Sequence, residues 1–245
     1  DRSNYHYSLS RNASDVAAIL GTDVIDDKKS NSIAVVITIE GAHSFGTGIH
    51  PQSKPADRTK VLTNVDTIKN WEHRPLFITL SHHFYNELCG HAESLSGKVK
   101  LATDQRYKMN TGFTPLGIEV VDRLLDNSGN KRIYIDIKHM SRNARLEYFN
   151  LLDTKYAGQD IPVIVSHGAV IGNESDKHLF MGADINLYDD EIVKVAKTNG
   201  LFGLQLDERR IAAAGDFELR KTHGTERRKV LFHSSYLVWR QIQHI

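Results

Sequence analysis

Short apolar runs, each ending in a side chain that can bind a ligand or move a proton, recur along this chain. The first is Ile33–Glu40, IAVVITIE, in which apolar and β-branched residues lead to a carboxylate. The later runs end in histidine or aspartate, and they are Leu76–His82, Ile133–His139, Ile161–His167 and Leu201–Asp207. Continuous apolar runs without a polar face predict strands that are buried on both sides of a parallel sheet.

Amphipathic segments separate these runs and predict helices between the strands. The apolar stripe from Val61 to Trp71 predicts one helix. Thr114-Pro115 reads as the N-cap and first position of another, and Ser141 as the N-cap of a third. Regular alternation of strands and helices predicts an α/β fold with a parallel sheet. The strand spacing fits a (β/α)8 TIM-type barrel, in which one unit takes about 30 residues or more.

Four segments do not follow this pattern. Asp1–Arg11 is polar and is expected to be irregular, and Thr22–Asn31 is expected to be a charged loop. Asn86–Thr114 is too long for an ordinary connection, so we expect a lid or binding loop there. Glu208–Lys229 is charged and lacks clear periodicity. Because no linker or short repeat divides the chain, residues 1–245 are expected to form a single domain.

Composition narrows the classes of partner. With 31 basic and 30 acidic residues the net charge is +1, which offers no electrostatic footprint for nucleic acid. No apolar run approaches the roughly 20 residues of a membrane-spanning segment, so a soluble domain is expected. The single Cys89 excludes an internal disulfide framework. The sequence leaves open a cytoplasmic or exported location and whether the protein forms a homo-oligomer.

The strand ends carry the candidate chemistry. In a parallel barrel the carboxyl ends of all strands converge on one face, so residues far apart in sequence can meet there. Glu40, His139 and His167 would give zinc or a similar divalent ion three protein ligands and leave a position open for water. A single strand-end histidine is more often a hydrogen-bonded surface residue than a ligand, but several of them together with a glutamate favour a metal site.

Other polar residues in these runs and loops are weaker candidates for a role in the site. His43, His50, His83 and His91 lie in predicted loops, outside the strand-end register, and are expected to be solvated. Asp136 lies three residues before a candidate ligand on the same run. Its spacing fits either a hydrogen-bond partner of a ligand or a satisfied polar residue inside the barrel.

Five segments in order resemble the signature segments of the membrane (renal) dipeptidase family of zinc metallopeptidases. They read ITIEGAHSF, LFITLSHHFYN, GFTPLGIEVVDRLL, IYIDIKHMS and IPVIVSHGAV. The resemblance implies a (β/α)8 barrel with two zinc ions at the strand carboxyl ends, and for this chain we expect one or two divalent ions. It implies that Glu40 bridges the two metals, that His139 and His167 bind one of them, and that His82 contacts the scissile carbonyl and stabilises the oxyanion.

The chain also departs from the family pattern. No His-x-Asp pair precedes Glu40 to complete the second metal site, and Asp216 follows no apolar strand, so the role of the family's last-strand aspartate is not carried over to it. The chain therefore looks like strands three to seven of the barrel, incomplete at both ends. Ile185 stands where the family has an arginine that binds the substrate carboxylate, and Arg209 and Arg210 are the candidate substitutes.

The resemblance implies a metal-dependent hydrolase that cleaves a peptide or amide bond in a small substrate with a metal-activated water. One alternative is a catalytically inactive, dipeptidase-like barrel that acts as a binding or assembly subunit. Another is an ester-cleaving hydrolase of the phosphotriesterase or lactonase type. That type would carry a carboxylated lysine as the metal bridge, and the strand-end Glu40 argues against it.

Overall fold

The computed structural model describes residues 5–21, 31–48, 54–173, 175 and 178–245. Within these residues all paired strands are parallel, in a sheet of β1 and β2 and a second sheet ordered β3-β4-β5-β6-β7. The strands are β1 His6–Leu9, β2 Ser32–Val35, β3 Ile39–Glu40, β4 Phe77–Thr79, β5 Tyr134–Asp136, β6 Ile164–Gly168 and β7 Leu201–Leu204. The α/β class with a parallel sheet is confirmed.

The helices alternate with these strands through most of the chain. They are α1 Ala13–Leu20, α2 Arg58–Lys69, α3 Gly97–Ala102, α4 Pro115–Leu125, α5 Arg142–Asp153, α6 Asp189–Lys197, α7 Glu208–Ile211, α8 Ala214–His223 and α9 Arg227–His244. Short 3-10 helices cover Ala42–Phe45 and Ser128–Asn130. The predicted caps of α4 and α5 are confirmed, because Thr114 accepts from Gly117 N at 2.9 Å and Ser141 from Ala144 N at 3.0 Å.

The predicted strand Ile33–Glu40 is divided between the two sheets, which corrects the expectation of one buried strand. Its first part lies in β2 beside β1, whereas its last two residues form β3 beside β4. The run changes its neighbour between them, where Ile37 O accepts from Leu76 N at 2.8 Å. β3 is an edge strand among the described residues, and Val36, which lies between β2 and β3, is 44% exposed, so the run is only partly buried.

The core lies between the five-stranded sheet and the helices that cover it. Its members from the α-helices come from α2, α4, α5 and α6, and they are Val61, Leu62, Val65, Ile68, Val120, Val121, Leu124, Leu125, Ala144, Tyr148, Phe149, Leu152 and Val195. Ile78 and Ile135 on the central strands are fully buried against them. Trp71 lies beyond the end of α2 and is 44% exposed, so its predicted place on the buried stripe is wrong.

Two predicted irregular segments contain regular structure. The described part of Asp1–Arg11 contains β1, which pairs with β2, and Glu208–Lys229 contains α7, α8 and the start of α9. Asp216 helps to hold α8, since its carboxylate accepts from Ala213 N at 2.7 Å and pairs with Arg240. Caps and ion pairs thus help to hold α7 and α8, although their segment lacks a strong apolar pattern. Only Asn31 of the predicted loop Thr22–Asn31 lies within the described residues.

Candidate metal centre

The carboxyl ends of neighbouring parallel strands bring the candidate residues to one edge of the sheet. Glu40 ends β3, His82 and His139 follow β4 and β5, and His167 lies within β6. His139 has a φ of 66°, in the left-handed region that residues with side chains seldom adopt. Met140 N donates to the carbonyl of residue 137 at 3.2 Å, which closes this turn directly after the strand.

Three imidazole rings converge on one carboxylate oxygen. The Nε2 atoms of His82, His139 and His167 each lie 3.5 Å from Glu40 Oε1. Among the described residues, Glu40, His139 and His167 form a group whose ligand atoms all lie within 4.8 Å of one another, and His82 lies outside that group. The structure thus brings the four sequence-predicted residues together and separates His82 from the other two histidines.

The group fits a divalent metal ion in geometry and in chemistry. Two ligand atoms about 2.1 Å from a tetrahedral ion lie about 3.4 Å apart, and the Oε1–Nε2 distances are 3.5 Å. Burial lowers the pKa of His139 and of His167, so that both rings are neutral near neutral pH and carry a lone pair for a metal. The neighbouring imidazole of His139 lowers the pKa of Glu40, which keeps this carboxylate ionised.

A buried chain of hydrogen bonds sets the orientation of His167. Asp136 is fully buried, and its Oδ2 accepts from the hydroxyls of Thr79 at 2.5 Å and Ser166 at 2.7 Å. Since Ser166 donates its single hydroxyl hydrogen to Asp136, it accepts from His167 Nδ1–H at 2.8 Å. Nε2 of His167 is then unprotonated, and this nitrogen faces Glu40 Oε1. Asp136 is therefore a partner of a candidate ligand, acting through Ser166.

A cavity of about 490 Å³ opens at this edge of the sheet, within the size range of small-molecule sites. The candidate residues line it together with Lys138, a residue that the strand-end pattern does not predict. Lys138 is only 2% exposed, and its Nζ donates to Ile185 O at 3.3 Å. Burial, with the charges of Arg210 and Arg145, lowers the pKa of Lys138 to about 7. The sequence feature that could have indicated this residue is the position of a lysine inside the apolar run IYIDIKH.

Arg209 and Arg210 both line the cavity, in different environments. Arg209 is exposed and its guanidinium is paired with Asp207, donating from Nε to Oδ1 at 3.0 Å and from Nη2 to Oδ2 at 2.6 Å. Arg210 is half-buried and donates to the backbone oxygen of Ser94. Of the two predicted substrate-binding arginines, Arg210 is thus the one whose charge is not paired with Asp207 by a hydrogen bond.

The prediction of solvated loop histidines is wrong for His83. Its ring lies against that of His82, with centroids 3.8 Å apart and the planes tilted by 37°, and its Nδ1 lies 2.7 Å from Ser94 Oγ. Burial lowers the pKa of His83 to about 4, so this ring supports His82 as a neutral neighbour. His43 is exposed, as expected, with its ring centroid 6.4 Å from that of His82. His50 lies outside the described residues.

The long segment Asn86–Thr114 forms an anchored wall of the cavity instead of a free lid. Gln105 holds it, because its side-chain oxygen accepts from Leu95 N at 2.9 Å and from Ser94 N at 3.3 Å. His91 Nε2 donates to the backbone oxygen of Gln105 at 2.8 Å. His91 is fully buried, so the expectation that it is solvated is also wrong. Sequence spacing could not reveal these contacts because they depend on how the segment folds back on itself.

A parallel α/β sheet that gathers a carboxylate and imidazoles at its carboxyl edge is typical of metal-dependent hydrolases. A comparison with models of protein families identifies the family within this class. The chain belongs to the membrane dipeptidase family, peptidase family M19, whose model matches residues 3–229. The resemblance drawn from the five sequence segments is therefore confirmed. Members of this family are metallopeptidases, which agrees with a site that fits a metal.

Solved dipeptidase structures share the fold at low sequence identity. The probable dipeptidase PvdM from Pseudomonas aeruginosa has a TM-score of 0.52 and 18% identity, over 83% of this chain and 39% of its own. Dipeptidase AC, a metallopeptidase of family M19, has a TM-score of 0.54 and 14% identity, over 96% and 54%. A Rhodobacter sphaeroides metallopeptidase liganded with a phosphinate mimic of L-Ala-D-Ala has a TM-score of 0.55 and 13% identity, over 96% and 52%.

The chain therefore spans 39% to 54% of the length of these structures. A search of curated proteins gives no match. Among the described residues, no helix is both long and apolar enough to cross a membrane.

Proposed function

We propose that this chain is part of a zinc-dependent hydrolase of the dipeptidase type, which cleaves a peptide or amide bond. The observation that carries the proposal is the convergence of His139 and His167 on Glu40 Oε1, with Nε2–Oε1 distances of 3.5 Å. These three residues would hold the ion. A bound zinc ion would lower the pKa of a coordinated water to about 7 and polarise the carbonyl under attack.

The remaining residues of the cavity would bind and orient the substrate. His82 would donate a hydrogen bond to the oxyanion that develops on the scissile carbonyl. Burial lowers the pKa of His82, and a neutral imidazole still provides one N–H donor. Arg210 would pair with an anionic part of the substrate, and Arg209 is a weaker candidate because Asp207 already accepts from its guanidinium.

A small peptide or amide fits the size of the cavity, about 490 Å³. The Rhodobacter sphaeroides relative, with its phosphinate mimic of a dipeptide, supports a substrate of the dipeptide class. We also propose that residues 1–245 form one domain equivalent to barrel strands three to seven of a TIM-type barrel. The five consecutive parallel strands β3–β7 support this assignment.

One observation favours a second function, that of a catalytically inactive binding or assembly subunit. The resemblance to the family implies two metal ions, but the described residues contain one group that could hold an ion, Glu40 with His139 and His167. A barrel with one metal, or with none, could retain the cavity and bind a peptide without cleaving it.

Metal analysis of the full-length protein, paired with a hydrolysis screen of dipeptides and amides, tests both functions. His139→Ala and His167→Ala should each remove one metal equivalent and lower kcat/KM by more than about a hundredfold, beyond the loss typical of an outer partner. His6→Ala, an exposed residue on β1, is the matched control. Unchanged metal content in both variants would refute the ligand roles. Bound metal without hydrolysis of any substrate would favour the binding subunit.

A further inference from the structure

We propose that Lys138 and Arg210 form an anion-binding subsite, which selects substrates that carry a carboxylate next to Ile185. The inference rests on the proposed function, because it names a specificity determinant of the same cavity. Both cations line this cavity together with the candidate metal ligands. A substrate held at the metal would therefore place a neighbouring group within reach of them.

The ammonium of Lys138 is buried with little compensation from the protein. Lys138 is only 2% exposed. Within the described residues its Nζ has one hydrogen bond, which it donates to Ile185 O at 3.3 Å. No carboxylate oxygen of the described residues lies within 4.0 Å of it to form an ion pair. A buried cation without a counter-charge is costly, so an anion in the cavity would be bound favourably.

Three carboxylates in or next to the cavity are occupied by other partners. Asp136 accepts at Oδ2 from Ser166 Oγ, and its Oδ1 accepts from the backbone N–H groups of residues 138 and 166 at 3.0 Å each. Asp207 accepts from the guanidinium of Arg209. Glu40 Oε1 faces the three imidazoles. The wall formed by Lys138 and Arg210 therefore keeps an excess of positive charge.

Arg210 supplies the second cation of the subsite. It is half-buried, and one of its Nη atoms is held by the backbone oxygen of Ser94, which fixes the guanidinium at the wall of the cavity. Lys138 and Arg210 both line the same cavity, so the two side chains share one environment. A carboxylate has two oxygens, and one ammonium and one guanidinium can each donate to it.

A second buried lysine supplies the contrast and the matched control. Lys69 is 7% exposed, but its Nζ donates to the backbone oxygens of Arg123 and Asp126 and lies 3.8 Å from the Asp126 carboxylate. Lys69 thus has its partners within the protein, on a surface formed by α2 and α4. Lys69→Met removes a buried lysine in the same way as Lys138→Met, without touching the cavity.

The test compares the binding of N-acetylalanine and N-acetylalaninamide by calorimetry, in the metal-loaded full-length protein and after removal of metal with a chelator. We expect the acid to bind about tenfold more tightly than the amide, which corresponds to about 1.4 kcal/mol. The preference should persist without metal, because side chains provide it. Lys138→Met and Arg210→Met should each abolish it, and Lys69→Met should retain it.

Equal binding of acid and amide to the parent protein would overturn the subsite, as would an equal loss of preference in Lys69→Met. If Lys138→Met does not fold, Arg210→Met decides, and an unchanged preference in that variant overturns the proposal. A hydrolysis assay on the same preparations separates the two proposals. Selective binding of the acid without hydrolysis would support the subsite and contradict the hydrolase function. Hydrolysis without a preference for the acid would support the hydrolase function and contradict the subsite.

Discussion

Ser166→Ala tests whether the hydrogen-bond chain from Asp136 orients His167 for a metal. The hydroxyl lies 2.7 Å from Asp136 Oδ2 and 2.8 Å from His167 Nδ1, so its removal releases the ring from this chain. Thr79→Val is the matched control, because it removes the other hydroxyl that donates to Asp136 Oδ2, at 2.5 Å. The hydroxyl of Thr79 has its hydrogen bond to Asp136 and none to His167.

The expected magnitudes separate stability from metal affinity. Each variant loses one hydrogen bond to a buried carboxylate, which contributes about 1.5–3 kcal/mol, so both should lower the free energy of unfolding by at least this amount, and Ser166→Ala also loses the bond to His167. Only Ser166→Ala releases a candidate ligand. Loss of such an outer partner weakens metal binding by about 10-fold to 100-fold, or about 1.4–2.7 kcal/mol.

Two measurements on each variant complete the test. Urea unfolding of the metal-free protein gives the change in stability, and competition with a chromogenic chelator gives the metal Kd. An equal weakening of metal binding in both variants would mean that affinity follows general stability. An unchanged Kd in Ser166→Ala would refute the reasoning that the chain from Asp136 orients His167.

Three further predictions concern residues outside the cavity. Arg145 and Glu191 form a buried pair, with Nε–Oε1 at 2.6 Å, so Arg145→Met should lower the free energy of unfolding in urea by about 3–5 kcal/mol, and a loss below about 1 kcal/mol would contradict this. Burial raises the pKa of the Cys89 thiol to about 12, so iodoacetamide near pH ~8 should label it only after denaturation. Rapid labelling of the folded protein would count against this. Gly117→Ala should lower Tm despite the better helix propensity of alanine, because its Cβ would overlap Leu88 O. A higher Tm would contradict that packing argument.

Features that depend on local sequence could be predicted. Thr114 and Ser141 cap helices because a hydroxyl bonds to an N–H three residues ahead, which needs no knowledge of the tertiary structure. The placement of Glu40 beside His139 and His167 also followed from sequence, since the ends of parallel strands share one edge. The first inference requires only the spacing of residues in a helix, and the second only the common direction of parallel strands.

Features that depend on which strands are neighbours could not be predicted. The link from Ser166 to Asp136 exists because β5 and β6 are adjacent, with Asp136 opposite Ile164 in the register. The partial exposure of Ile33–Glu40 accompanies a change of partner strand between β2 and β3. From sequence alone a lysine such as Lys138 is expected at the surface, and its burial follows only from the tertiary fold.

The shortness of β3 has a consequence for the kinds of sequence change that this site can survive. β3 has two residues, and Glu40 is set opposite Thr79 by that pairing and by the bond from Gly41 N to Thr79 O at 3.0 Å. Because strand side chains alternate between faces, a slip of one residue would point Glu40 away from the histidines. Substitutions in the preceding residues 36–38 preserve the count of residues along the strand. A single insertion or deletion there would displace the Glu40 carboxylate from the site although the glutamate itself is unchanged.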